Sequence, residues 1–114
     1  MMNILKSIFS GGVPTVRPAE AQQRLTEANP PLVLDVRMKN EFNAGHIKGA
    51  KHIPLNDLEK KMSQLPQDRE ILCVCHSGIR SNMAAGRLQR AGYKVMNMRG
   101  GMKGWEQANL PIKK

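Results

Sequence analysis

The chain is 114 residues long, 40% hydrophobic and 24% charged, with a formal net charge of +9 from 18 Lys and Arg against 9 Asp and Glu. That length suits one domain burying roughly 65% of its unfolded surface, and the composition argues against a disordered, collagenous or disulfide-stapled chain. The basic balance favours anionic partners, much of it simply solubilising the surface; the aromatics are only Phe9, Phe42, Tyr93 and Trp105, with no interleaved Lys/Arg block and no zinc-finger spacing, which argues against nucleic acid.

The first dozen residues, "MMNILKSIFSGG", are too short and interrupted for a signal-peptide core, and no 18-residue apolar run exists for a transmembrane segment. A cytoplasmic chain is therefore expected. Ile4, Leu5 and Ile8 fall at helical spacing, open to packing on the domain, fraying or a membrane contact. "VPTV", Val13 to Val16, reads as a short strand, and Pro18 opens a helix over Ala19 to Ala28. "PLVLDVR", Pro31 to Arg37, is a nearly continuous apolar run of the kind that suits a parallel strand covered on both faces. "AKHIPL", Ala50 to Leu55, supplies another short strand, after which Asn56 is expected to cap a helix over Asp57 to Leu65. "REILCVC", Arg69 to Cys75, repeats the buried-strand pattern. Ser81 to Ala91 reads as a helix stopped by Gly92, and "KVMNM", Lys94 to Met98, as a last strand. Strand and helix alternate, so a parallel α/β sheet with right-handed crossovers follows.

Ligands in such sheets bind beyond the carboxyl ends of the strands. Cys75 stands at one of those ends, in the loop "CHSGIRS" from Cys75 to Ser81. Gly78 lets the loop curl with its N–H groups inward, and the following helix adds positive potential. A free thiol with a pKa of about 8.5 is made more acidic in that position. Cys75 is accordingly read as a nucleophilic thiolate, against the alternative of an inert buried side chain. Cys73, inside the strand, is read as a small buried hydrophobe. The two cysteines are too close along an extended backbone for an unstrained disulfide, which fits a reducing compartment.

These residues resemble the rhodanese-type sulfurtransferases. "CHSGIRS" looks like the family's Cys-x-x-Gly-x-Arg-Ser/Thr loop; "LVLDVRMKNEFNAGHIKGAKHIP", Leu32 to Pro54, and "RGGMKGWEQANLPI", Arg99 to Ile112, resemble its upstream and closing segments in the same order. The resemblance implies one rhodanese-like domain over residues 13–114 after an extension over 1–12, with a mainly parallel sheet of about five short strands and helices on both faces. It also implies persulfide chemistry. The thiolate of Cys75 takes the outer sulfur of a small anionic donor such as thiosulfate, and cyanide, a small thiol or a protein thiol removes it. No cofactor or metal is needed. Four residues separate Cys75 from Arg80, whereas the related phosphatases use a loop one residue longer, which favours sulfur over phosphorus. The same resemblance leaves open a protein-to-protein sulfur carrier and a non-catalytic binding module.

Within that reading Cys75 and Arg80 carry catalysis, and His76, Ser77, Gly78, Ile79 and Ser81 bind substrate through the loop. Two roles are open to Arg80, orienting the donor or bracing the loop. His76 is equally a substrate contact or a solvent-facing loop residue, and Ser81 is expected chiefly to cap the helix. Asp35, Arg37 and Glu41 are read as a bracing charge network, His46 and His52 as hydrogen-bonding groups without metal-ligand spacing, Arg99 and Lys103 as rim residues, and Trp105 as core.

Overall fold

The computed structural model describes residues 12–114. The expectations placed on Ile4, Leu5 and Ile8 lie outside the described residues. Five parallel strands form one sheet in the order β1-β5-β4-β2-β3: β1 Thr15–Val16, β2 Leu32–Asp35, β3 Lys51–His52, β4 Ile71–Val74 and β5 Val95–Met98. The strand order places β4 at the centre, paired with β2 on one side and β5 on the other. Every predicted strand is present, each shortened at its ends where the chain turns out of the ladder.

The two-residue period of β4 sorts its side chains between two cores. Ile71 and Cys73 join Leu34, Val36, Leu58, Ala84, Ala85 and Leu88 on one face. Leu72 and Val74 join Val33, Met96, Met98, Met102 and Trp105 on the other. Both faces are thus buried, which is why the strand reads as a continuous apolar run rather than an alternating one.

Helix α1, Pro18–Leu25, starts with proline at its first turn, and Glu20 reaches back to the Arg17 amide over 3.1 Å. Helix α4, Ile79–Arg90, ends in a double bond pattern, Gly92 N–H to the Gln89 carbonyl and Tyr93 N–H to the Leu88 carbonyl, that satisfies its last acceptors. The helix expected over 57–65 is instead three short pieces: a 3₁₀ turn Leu55–Asp57, helix α3 Leu58–Lys61 and a 3₁₀ turn Met62–Gln64. Asn56 does not cap it, because the chain enters the first turn directly from Pro54 and leaves the exposed Asn56 inside that turn. Two helices escaped the sequence reading, α2 Lys39–Ala44 and α5 Gly101–Gln107. Both shape the site. Among the described residues no helix is long and apolar enough to cross a membrane.

Candidate active site

The central strand delivers Cys75 to the carboxyl edge of the sheet, and α4 begins four residues later at Ile79. Between them Gly78 takes φ +101°, a left-handed conformation that costs other residues about 1–2 kcal/mol. This twist brings the amides of Ser77, Gly78 and Ser81 onto the Cys75 sulfur, the Gly78 N–H donating over 3.1 Å. The Ser81 hydroxyl adds a contact of 3.3 Å. Cys75 is only 1% exposed. Burial pushes its thiol up, but the Ser81 hydroxyl and the amides of Ser81, Gly78 and Ser77 together outweigh it and leave the thiol more acidic than an ordinary cysteine. Cys73 has no such cradle. Full burial, helped by the neighbouring Cys75, pushes it up to about 12.

The loop is held from behind by α5. The Cys75 carbonyl accepts the Met102 N–H at 2.7 Å, and the His76 carbonyl accepts the Lys103 N–H at 3.0 Å. Its carbonyls are thereby turned outward, so the ring facing the sulfur is built of donors, the arrangement that stabilises an anion without reorganisation.

Arg80 binds Glu41 of α2 through two parallel contacts of 2.8 Å, and Glu41 also accepts the Met38 N–H at 2.9 Å. The fork joins the first turn of α4 to the short α2. The Arg80 guanidinium holds the Glu41 carboxyl at about 2, against burial that raises it, with the Met38 amide adding to the effect. Its folded value lies below its unfolded one, so the stability it contributes is full above about pH 4.5 and fades as pH falls toward 2. Both side chains are about a third exposed, which screens the pair. We expect Glu41→Gln to lower stability by about 1 kcal/mol at pH 7 and the two proteins to converge as pH falls from 5 to 2, measured by urea unfolding across that range.

Asp35 and Arg37 form a separate, buried pair. Arg37 donates to both Asp35 oxygens at 2.8–3.1 Å and to the Gly45 carbonyl at 2.8 Å. The expected three-residue network is thus two pairs, one deep in the fold and one at the loop. Ser81 corrects another expectation. The helix starts at Ile79 after Gly78, so Ser81 falls inside the first turn, fully buried, with its hydroxyl on Cys75 and Asn97 rather than on a capping amide.

The side chains of His76, Ser77 and Ile79 are exposed, Ile79 to 71%. Arg99 is exposed and lines a cleft of about 540 Å³ beside the loop with Ser77, Gly78, Ile79, Met83 and Asn97. Lys103 is exposed but lies outside that lining. Trp105 is buried, its ring N–H on the Pro111 carbonyl at 2.8 Å. His46 and His52 each bond a backbone carbonyl, of Phe42 and Arg37, and stack on the Phe42 ring.

Sequence reasoning missed Asn97. It sits in the apolar run of β5, 5% exposed, with its amide bonded to Gly78 and Ser81. A lone amide in a strand otherwise buried is itself a signal, because such a group demands partners.

An acidic cysteine stands at the end of a central parallel strand, ringed by amides at a helix N-terminus, an arrangement that stabilises a thiolate. The model of the rhodanese-like domain family matches residues 17–108, and the chain belongs to that family. Thiosulfate sulfurtransferase GlpE of Shewanella oneidensis is 37% identical over 87 residues, 75% of this chain and 86% of that protein. YrkF of Bacillus subtilis, described as a candidate sulfur carrier protein, is 36% identical over 97 residues; the match takes in 84% of this chain but spans about half of YrkF, 52%. The crystal structure of a rhodanese-related protein from Thermoplasma volcanium superposes with a TM-score of 0.82 at 26% identity, covering 87% of this chain and 96% of that one.

Proposed function

We propose that the chain moves sulfane sulfur from a small anionic donor such as thiosulfate, through a persulfide on Cys75, to cyanide or a thiol. The observation that carries this reading is the ring of donors on the Cys75 sulfur, which favours the thiolate that starts the first step and is regenerated at the end of the second. In that step the Cys75 thiolate forms a bond to the outer sulfur of thiosulfate, the donor's S–S bond breaks, and sulfite leaves with the electron pair. The persulfide anion remains. The acceptor then bonds to that outer sulfur, the new S–S bond breaks, and Cys75 departs as the thiolate it began as. Charge is conserved in each half, and no cofactor is called on.

Arg80 serves this reaction as an electrostatic brace, because its fork is already occupied by Glu41. The amides of Ser77, Gly78 and Ser81 bind the reacting sulfur, while His76 and Ile79 present exposed side chains to donor or acceptor. The net charge of +9 favours approach of an anionic donor. The name of the GlpE relative supports thiosulfate as donor, and the four-residue spacing from Cys75 to Arg80 supports sulfur over phosphate chemistry. Two free thiols suit a reducing compartment such as the cytoplasm.

A second reading has the same chemistry with proteins as donor and acceptor, favoured by the likeness to the candidate carrier YrkF. Intact-mass measurement after thiosulfate, run beside a thiosulfate:cyanide assay, separates the two. A one-sulfur gain with turnover supports the enzyme; a gain without turnover supports the carrier. No adduct from any sulfane donor would sink both and leave a binding module.

A further inference from the structure

The Ser81 hydroxyl lies 2.6 Å from Asn97 Oδ1 and 3.3 Å from Cys75 Sγ, and it has one proton for the two. The orientation of the Asn97 amide decides where that proton rests. Its other end is 3.1 Å from the Gly78 carbonyl, which already accepts the Asn82 N–H and can only accept. The amide nitrogen must therefore face Gly78, and the amide oxygen must face Ser81. Two oxygens 2.6 Å apart need a proton between them, and only Ser81 has one to offer.

With the thiol neutral, this makes a consistent chain: Cys75 S–H donates to Ser81, and Ser81 donates to Asn97. On ionisation the chain breaks. The Ser81 hydroxyl must swing to the thiolate, and Asn97 Oδ1, buried, then faces an oxygen without a proton. We propose that Asn97 is a positioning residue that sets how the Ser81 proton is shared and thereby restrains the ionisation of Cys75 against the pull of the loop amides. Gly78, the turn that aims those amides, is held by the same side chain, so the brace of the loop and the restraint on the thiol come from one amide.

The charged and titratable groups around Cys75 are not bonded to the Asn97 amide, whose partners are Ser81 and Gly78. They are Cys73 on its own strand, the Asp35–Arg37 pair at the end of the neighbouring β2, His76 in the loop, Arg80 with Glu41 behind it, and Arg99 and Lys103 flanking the start of α5. A change seen on altering Asn97 therefore comes through Ser81 or through the Gly78 turn, and the Ser81→Ala background separates the two. One consequence rests on the sulfur-transfer reading. Once the outer sulfur is attached, Cys75 Sγ no longer carries the charge, and the Ser81 proton returns to Asn97, favouring the persulfide over the free thiolate.

The test reads thiol acidity alone, so it stands or falls apart from sulfur transfer. The rate of alkylation at Cys75, followed by peptide mass against pH, is compared in wild type, Asn97→Ala, the near-isosteric Asn97→Leu, Ser81→Ala and the double variants. Both Asn97 variants should move the midpoint down by about one pH unit, Ser81→Ala should move it up, and in the Ser81→Ala background the Asn97 changes should move it by less than about 0.3. Asn97→Leu keeps the branched shape while removing both polar groups, so a folding defect confined to the alanine variant leaves the comparison intact. An unchanged or raised midpoint in Asn97→Leu, its failure to fold, or an equal shift with and without Ser81 would overturn the proposal and leave Asn97 as a structural brace.

Discussion

Replacing Cys75 by serine will reduce sulfur transfer from thiosulfate at least about a thousandfold and abolish the one-sulfur mass gain, while Cys73→Ala keeps both within a fewfold of wild type. The two residues are chemically identical and two positions apart, so the contrast isolates environment. Cys75 has the Gly78, Ser77 and Ser81 donors on its sulfur and a thiol more acidic than usual. Cys73 is wholly buried, its thiol pushed to about 12. A serine hydroxyl in the same cradle is too weak an acid to ionise there, and it forms no persulfide. The folded state should be little affected, because serine has the same shape, is only slightly smaller and can use the same amides. Turnover in Cys75→Ser close to wild type would remove the persulfide from the mechanism altogether. Loss of turnover in Cys73→Ala, with unfolding curves unchanged, would instead give the buried thiol a part that its surroundings deny it.

The second large effect is expected at Gly101. Its φ of +58° is left-handed, and a Cβ there would press on the carbonyl oxygens of Cys75 and His76, well inside van der Waals contact. Those are the carbonyls that the first turn of α5 holds from behind. Gly101→Ala must therefore either push α5 off the loop or turn the peptide groups that aim the amides at the sulfur. We expect a loss of about 3–5 kcal/mol in stability, the backbone conformation supplying about 1–2 of it, together with at least about a hundredfold loss of activity in whatever fraction remains folded. Gly49→Ala is the matched control. It too is left-handed, at φ +85°, but a Cβ there meets nothing within 4 Å. It should cost about 1–2 kcal/mol and leave turnover intact. Equal stability loss at both positions by urea unfolding would mean that close approach at Gly101 contributes nothing beyond backbone strain.

The strands were legible because β2, β4 and β5 are buried on both faces and so appear as nearly unbroken apolar runs, and Gly92 marked the end of α4 for a local reason, the turn it allows. The two short helices were not. Lys39–Ala44 and Gly101–Gln107 run six and seven residues, too short for a helical period to stand out, and the second opens on a pair of glycines that reads as loop. Asn56 and Ser81 looked like caps because local sequence offers those side chains to the nearest helix amides. At Asn56 the entry from Pro54 moved the start of the turn, and at Ser81 the left-handed Gly78 moved the helix start forward, so the hydroxyl found a buried thiol and amide instead.

By itself the sequence determined the parallel α/β layout, the place of Cys75 at the end of the central strand, and the loop chemistry of glycine and arginine at set distances from it. These follow from neighbours along the chain, where periodicity and turn residues act. Tertiary structure alone decided which groups brace the loop around that cysteine: Asn97 from β5, Glu41 from α2 and the first turn of α5 are 22, 34 and about 26 residues away from it in sequence. Their contacts arise from strand order and helix docking, and the hydrogen bonds that set the acidity of a thiol depend on ångström-scale distances that only the packed chain provides.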